Sequence, residues 1–126
     1  WDKCTTKDGS TTLDAGQGSN FELCWSKIRH KREIARVVHK GLFSVENDKR
    51  EHPTQKPVAL AIWFFDRFGN GLDSVADLYA GSGSTLLASE KTARQRYGMD
   101  IGPAYCYVII KRWENLTGET AERLEG

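Results

Sequence analysis

Residues 77–85 read Asp-Leu-Tyr-Ala-Gly-Ser-Gly-Ser-Thr and join a short apolar run to a helical pattern. Glycines in such a junction let the main chain turn sharply and let a ligand approach the backbone closely. The helix predicted to begin at Ser84 or Thr85 offers unbonded N–H groups and the positive end of its dipole. The stretch therefore predicts a binding site for an anionic group, such as a carboxylate or a phosphate. The alternative is that Gly81 and Gly83 form only a tight turn between a strand and a helix.

An acid in the next apolar run strengthens this interpretation. Asp100 lies near the end of a predicted strand of residues 96–101, 23 residues after Asp77. In nucleotide-binding α/β folds, an acid about 20 residues further along the chain hydrogen-bonds ribose hydroxyls. Position 86 is Leu, so the dinucleotide pattern G-x-G-x-x-G is absent, and no Gly-Lys-Ser/Thr follows to make a P-loop. These differences argue against NAD and ATP. The alternative role for Asp100 is to cap the helix that follows Gly102.

The C-terminal part of the chain has its predicted elements in the order strand, helix, strand, helix. Residues 74–79 predict a short buried strand, and residues 103–116 form the last helical pattern. This order predicts parallel strands joined by right-handed crossovers. An earlier apolar helix is expected to begin at Pro57 and to end before Gly69. We therefore expect an α/β fold over residues 51–126, with a partial doubly wound parallel sheet.

Residues 1–50 differ in composition from the rest of the chain. They open with a polar stretch rich in Gly, Thr, Ser and Asp, which predicts loop. Residues 21–25 and 34–43 then predict two strands joined by a charged turn near residues 30–33, although residues 33–39 also suit a helix. We expect a basic antiparallel β-hairpin at the N-terminal side of the α/β portion.

Charge is distributed unevenly along the chain. Residues 27–40 carry six Lys or Arg against one Glu, a net charge of +5, whereas residues 57–126 carry seven against nine Asp or Glu, a net charge of −2. A basic segment beside a neutral or acidic domain is typical of an arm that contacts phosphates. The alternative is a solvated hairpin face that meets only water. The six cations of this basic segment are Lys27, Arg29, Lys31, Arg32, Arg36 and Lys40.

Composition excludes several other classes of protein. Cys4, Cys24 and Cys106 are odd in number and lack CxxC spacing, so neither a disulfide framework nor a zinc site is expected, and the histidines also lack ligand spacing. No apolar run approaches the roughly 20 residues that cross a bilayer, and no signal peptide opens the chain. A cytoplasmic location without membrane contact is the expectation. Because residue 1 is Trp and Met99 is the only methionine, we expect a piece of a longer protein.

Three separated motifs together resemble those of DNA methyltransferases that modify adenine N6 or cytosine N4. They are His52-Pro53-Thr54-Gln55-Lys56-Pro57 before an apolar helix, the glycine turn of residues 77–85, and Tyr97-Gly98-Met99-Asp100-Ile101. Their order is that of the beta class, in which the catalytic part precedes the part that binds S-adenosylmethionine. The resemblance covers residues 50 to 115 and implies a Rossmann-like S-adenosylmethionine-dependent methyltransferase sheet; residues 1–49 match more loosely.

The resemblance also implies roles for individual residues. Asp100 would bind the ribose hydroxyls of S-adenosylmethionine, and Ile101 would pack on its adenine. The glycine turn would line the methionine end, with Tyr79 in a place where the family commonly has Phe. The basic segment falls in the region that often carries target recognition, so its six cations would contact double-stranded DNA. The full set implied for the cofactor is Thr54, Lys56, Asp77, Tyr79, Gly81, Ser82, Gly83, Ser84, Thr85, Asp100 and Ile101.

The catalytic motif of the family, Asp/Asn/Ser-Pro-Pro followed by an aromatic residue, is absent. The chain has three prolines, Pro53, Pro57 and Pro103, and none are adjacent. No residue is therefore assigned a catalytic role, and this chain alone is predicted not to methylate DNA. Methylation at cytosine C5 is set aside because no cysteine follows a proline.

These observations lead to two hypotheses of different classes. The first is an enzyme part: the S-adenosylmethionine-binding portion of a longer or split amino-methyltransferase of the restriction-modification type. The second is a stand-alone module that binds S-adenosylmethionine or DNA and completes or regulates a partner methyltransferase. A methyltransferase of RNA or small molecules is a weaker third, because the stretch of residues 52–57 is more typical of the DNA enzymes. The expected partners are DNA, the missing catalytic half or a partner chain and, because an unpaired sheet edge invites self-association, a second copy in a homodimer.

Overall fold

A computed structural model describes residues 1–3, 21–27, 29–40, 43–44, 52–71 and 73–124. The chain divides into two compact units, Trp1–Lys49 and Arg50–Gly126. Within the described part of the chain, every helix is too short or too polar to cross a membrane.

The N-terminal unit is organised around the first three residues. Asp2 forms an antiparallel bridge with Phe21 and a parallel bridge with Arg36, so residues 1–3 lie between two other segments. The indole N–H of Trp1 donates to the Val37 carbonyl at 2.8 Å. These contacts hold the start of the chain as the middle member of a small three-segment arrangement.

The antiparallel strand pair of this unit lies later in the chain than the predicted basic hairpin. β1 (His39–Lys40) pairs antiparallel with β2 (Phe43–Ser44). Among the described residues, residues 21–25 do not pair with residues 34–40, so the predicted pairing is wrong there, as is the alternative of a helix over residues 33–39. The reason is that the backbone of residues 1–3 forms hydrogen bonds with both segments, in place of the predicted bonds between them. The N–H of Glu22 donates to Trp1 at 2.9 Å, whereas the carbonyl of Ala35 accepts from Asp2 at 2.8 Å.

The C-terminal unit contains the predicted α/β order. Its elements are α1 (Val58–Phe68), β3 (Val75–Asp77), α2 (Ser84–Lys91), β4 (Arg96–Gly98) and α3 (Pro103–Thr117). β3 and β4 are parallel and in register from Val75 opposite Arg96 to Asp77 opposite Gly98. The α/β fold class and the parallel pairing are thus confirmed, and α2 is the crossover between the two strands.

The core of this unit forms where its helices meet. Val58 of α1 packs with Leu87 and Ala88 of α2, and Phe65 and Trp113 close around them. Pro57 precedes α1, consistent with its tolerance at a helix start. Gly69 ends the helix with its N–H donating to the Phe65 carbonyl at 3.1 Å. Burying this apolar cluster fixes α2, whose first turn carries the glycine motif.

The strands are less buried than the sequence predicted. Ala76 of β3 and Tyr97 of β4 are exposed. Within the described residues, α2 is the helix that packs on both strands. Parallel strands are ordinarily covered on both faces, and the apolar run of residues 74–79 has that composition. The prediction of a buried strand was therefore wrong for this chain. The composition of a strand does not tell whether the chain itself contains an element that packs on the second face of the sheet.

Candidate cofactor site at the carboxyl ends of the parallel strands

The glycine turn between β3 and α2 adopts a backbone that other residues rarely take. Gly81 has φ +53° and Gly83, the N-cap of α2, has φ +78°. A Cβ atom on Gly83 would lie 2.9 Å from Cγ1 of Ile109 in α3. Left-handed backbone favours glycine at both positions, and the approach of α3 also excludes a side chain at the second. The turn is thus shaped by α3 as well as by its own sequence.

Asp100 ties the glycine turn to the start of α3. One carboxylate oxygen accepts the Gly81 N–H at 2.8 Å, and the other accepts the Gly102 N–H at 2.8 Å. These backbone hydrogen bonds, the Gly102 one first and then the Gly81 one, hold the pKa of the Asp100 carboxyl below its usual value. Gly102 is the N-cap of α3 and the helix has no side-chain cap, so Asp100 is not the helix cap that the sequence alternative proposed; it binds the N–H of the cap residue instead. Its binding to ribose remains a prediction.

Two large side chains near Asp77 and Asp100 are exposed to solvent. Tyr79 is 91% exposed and Ile101 is fully exposed, and both follow the carboxyl ends of the strands. Asp77 is half-buried, and its carboxylate accepts the Tyr79 N–H at 3.1 Å. In open α/β sheets, ligands bind outside the carboxyl ends of the strands. Exposed apolar residues at that place are consistent with a surface that a ligand covers.

The motif of residues 52–57 lies against the glycine turn. Nδ1 of His52 accepts the Thr54 N–H at 3.1 Å, and the His52 ring packs on the Tyr105 ring of α3 at 4.4 Å between centroids. The Ser84 hydroxyl donates to the Lys56 carbonyl at 2.6 Å. The predicted site residue Lys56 is therefore brought beside the start of α2, whereas Thr54 is bound to His52, whose ring lies near Gly81. His52 has a structural role in this turn.

The start of α2 is more enclosed than its sequence suggested. Ser82, Gly83 and Ser84 are buried, whereas Thr85 is half-buried. Because the Ser84 hydroxyl donates its hydrogen bond to the Lys56 carbonyl, it holds the motif of residues 52–57 in place rather than facing solvent. Arg112 of α3 donates to the Ser82 carbonyl, a contact that no local pattern in the sequence indicates. Three residues of α3 that sequence reasoning missed, Tyr105, Ile109 and Arg112, thus support the site.

The basic segment belongs to the N-terminal unit. Lys27, Arg29, Lys31, Arg32 and Arg36 all have exposed side chains, and Lys40 lies on β1. The described part of the segment has no regular element before β1 apart from the bridge of Arg36 to Asp2. Its contact with DNA remains a prediction.

A cavity of about 520 Å³ lies elsewhere in the C-terminal unit, between α2, β4, α3 and the segment of residues 119–122. Glu90 stands at its side, accepting the Trp113 indole N–H at 2.6 Å and pairing with Arg96. None of the predicted cofactor residues lines this cavity. Among the described residues, no cluster of three metal-ligating side chains is found.

Comparisons with known proteins point to one family. Residues 3–112 match the model of a DNA methylase family. The chain is similar to the crystal structure of the M1.HpyAVI–SAM complex, with 32% sequence identity and a TM-score of 0.53 over 68% of this chain and 42% of that one. It is also similar to a candidate DNA modification methylase from Thermus thermophilus complexed with S-adenosyl-L-methionine, with 30% identity and a TM-score of 0.49 over 55% and 29%. No curated protein matches. The matched region spans less than half of either solved structure.

Proposed function

The chain belongs to the DNA methylase family, and we propose that it is the part of such an enzyme that binds S-adenosylmethionine. The reaction proposed for the whole enzyme is methylation of an exocyclic amino group in DNA, at adenine N6 or cytosine N4. The observation that carries the proposal is the Asp100 carboxylate. It stands at the carboxyl end of the parallel strands and joins the glycine turn to α3, beside the exposed side chain of Ile101.

The residues at this edge fit the cofactor chemically. Each oxygen of Asp100 uses one acceptor site on a backbone N–H and has a second for a ribose hydroxyl. The lowered pKa keeps this carboxyl ionised, and therefore an acceptor, at neutral pH. Ile101 and Tyr79 offer apolar surface for the adenine and the methionine chain. Asp77 and Asp100 add negative charge, which favours a cationic ligand.

The bound cofactor would supply a methyl group carried on a sulfonium. The chain's contribution is to hold it at the strand ends, with Thr54 and Lys56 on the side of the motif of residues 52–57. The start of α2, at Gly83, Ser84 and Thr85, would favour the methionine carboxylate through its helix dipole. These assignments are supported by the proximity of the motif to α2, which the Ser84 to Lys56 hydrogen bond establishes.

Methyl transfer itself needs groups that this chain does not contain. No adjacent prolines occur in the sequence, so nothing corresponds to the motif that orients the target amino group. We propose that a catalytic half, in the same protein or in a partner chain, supplies it. The exposed Ala76 and Tyr97 on the strands support such a cover. The missing motif equally favours the second candidate, a module that completes or regulates a partner methyltransferase, and the same exposed strands suit a homodimer.

The cofactor proposal is tested by calorimetric titration of S-adenosylmethionine into the chain. Ile101→Ala is expected to weaken binding by about tenfold, since it removes most of an apolar contact worth about 1.4 kcal/mol. Leu124→Ala is the matched control, because Leu124 is also exposed, at 87%, and lies outside the site. Equal affinity in the parent and Ile101→Ala, or no binding by the folded chain, would contradict the assignment.

The inactivity of the chain alone is tested separately. Incubation with tritiated S-adenosylmethionine and mixed-sequence DNA is expected to transfer no label to the DNA, since the target amino group is not oriented. Label in the DNA would show that the chain contains an active catalytic centre. Measuring cofactor binding in the same sample distinguishes an inactive complex from a failure to bind.

A further inference from the structure

The N-terminal unit exposes a tryptophan immediately before its basic segment. Trp25 is 83% exposed and Leu23 is 91% exposed. Lys27 and Arg29 follow within four positions, and both are exposed as well. Residues 22–26 adopt neither helix nor strand. A large apolar side chain is thus held in water, on irregular backbone, next to a run of cations.

Solvent exposure of this kind is unusual for an indole. A tryptophan buries about 150–250 Å² when it finds a partner, so leaving it exposed forgoes a substantial hydrophobic gain. Single exposed apolar residues are common on proteins, but here Leu23 and Trp25 occur together. The pair suggests a surface that a ligand covers, and the neighbouring charge indicates what kind of ligand.

Charge distinguishes this surface from the exposed side chains at the carboxyl ends of the strands. Tyr79 and Ile101 stand beside Asp77 and Asp100, where a polyanion would be repelled. Trp25 is followed by the basic segment, in which residues 27–40 carry a net charge of +5. A surface that combines an aromatic ring with Lys and Arg suits nucleic acid, since the cations meet phosphates and the ring stacks on bases.

We propose that Trp25 inserts into the base stack of duplex DNA, while Lys27, Arg29 and Arg32 hold the adjoining phosphates. The inference rests on the proposed function, because enzymes that modify an amino group of a base extrude that base from the helix. Extrusion leaves a gap in the stack, and apolar side chains that enter such gaps stabilise the distorted duplex. Trp25 is better suited than Leu23 because its flat indole stacks on bases of any sequence.

The test compares a short duplex that contains one abasic position with the same duplex intact, by fluorescence anisotropy of labelled DNA at one low salt concentration. An abasic position mimics the gap that an extruded base leaves. The chain is expected to prefer the abasic duplex by about fivefold or more. Trp25→Ala should abolish this preference and keep most of the affinity for intact duplex. Trp25→Phe should keep part of the preference.

Tyr107→Ala is the matched control, because Tyr107 is an exposed aromatic residue on α3 of the C-terminal unit and is not part of the basic segment. This variant should keep the full preference. The proposal is overturned if Trp25→Ala retains the preference or if the parent shows none. It is also overturned if Trp25→Ala leaves both affinities unaltered and instead changes the sedimentation coefficient, since Trp25 would then be part of a protein interface. A different result would contradict the proposed function: no binding of S-adenosylmethionine by the folded parent chain.

Discussion

Two regions of the molecule expose large apolar side chains: the carboxyl ends of β3 and β4, and the segment of residues 23–32. They differ in the charge of the neighbouring residues and in the contacts that fix their backbone. At the strand ends the neighbours are acids, and Asp100 holds the backbone through hydrogen bonds to Gly81 and Gly102. In residues 23–32 the neighbours are Lys and Arg, and no regular element is present in the described part. A preformed, acidic edge suits a small cationic cofactor, whereas an irregular, basic segment suits a long polyanion that differs in shape from site to site.

The largest effect is expected from reversing charge in the basic segment. Arg29→Glu combined with Arg32→Glu should lower affinity for duplex DNA by about a hundredfold near 50 mM salt, since each phosphate contact contributes roughly a factor of ten there. The salt dependence of binding should become shallower. Affinity for S-adenosylmethionine should stay unchanged. Arg123→Glu, which alters an exposed arginine outside the segment, is the control for net charge.

An electrophoretic mobility shift at two salt concentrations measures the first effect and calorimetry the second. If the double variant binds duplex DNA as the parent does, the basic segment meets only water. If it loses cofactor binding instead, the two regions are not separate in function.

The next largest effect is expected from adding a side chain at Gly83 in the glycine turn. Gly83→Ala should lower the free energy of unfolding by about 2 kcal/mol or more, because it places a side chain on left-handed backbone and against Ile109. Gly118→Ala is a matched control, since Gly118 has φ +77° and its added Cβ would meet nothing within 4 Å. That variant should show only the backbone strain, about 1 kcal/mol.

Urea denaturation of both variants gives the comparison. Equal destabilisation by Gly83→Ala and Gly118→Ala would mean that α3 does not constrain the glycine turn. DNA binding by the N-terminal unit should survive Gly83→Ala wherever that variant is folded.

The smallest expected effect concerns pH. The folded-state pKa of Asp100 is lowered by the Gly102 and Gly81 N–H groups, so its contribution to stability is present above the unfolded value of about 3.9 and is lost as the pH falls through the folded value. Asp100→Asn should therefore be less stable than the parent at neutral pH, and the difference should shrink below pH 4. Asp66→Asn, at an exposed position of α1, is the control.

Thermal unfolding from neutral to acid pH tests this prediction. A difference between the parent and Asp100→Asn that stays constant with pH would show that the Asp100 carboxylate is not what ties the turn to α3. A difference that grows on acidification would contradict the direction of the pKa shift.

Much of the C-terminal unit could be predicted because its signals are local. Pro57 and Gly69 bracket α1, and the glycine turn separates β3 from α2 as its composition indicates. The motif of residues 52–57 and Asp100 were predicted to share a site with that turn, and the structure places both against it. Their contact with the cofactor stays a prediction.

The features that could not be predicted depend on partners distant in sequence. The pairing of residues 1–3 between two later runs displaced the expected hairpin, and nothing in Trp1 or Asp2 indicates it. Ile109 packs on Gly83 although the two residues are 26 positions apart in the sequence. Hydrophobic periodicity does not predict contacts between residues so far apart. The exposure of Ala76 and Tyr97 depends on which elements pack over the strands, and the composition of the strands does not tell that. Local patterns predict elements, whereas these contacts depend on how elements assemble.

A nuclear magnetic resonance titration of the ¹⁵N-labelled chain with S-adenosylmethionine and, separately, with duplex DNA tests most directly whether the two ligands bind different regions. The cofactor is expected to shift the amide signals of residues 79–84 and 100–102 and to leave those of residues 23–32 unchanged. DNA should shift residues 23–32 and leave the strand ends unchanged. Cofactor shifts confined to residues 23–32, or the same set of signals moved by both ligands, would contradict the assignment of the acidic edge to the cofactor and the basic segment to DNA.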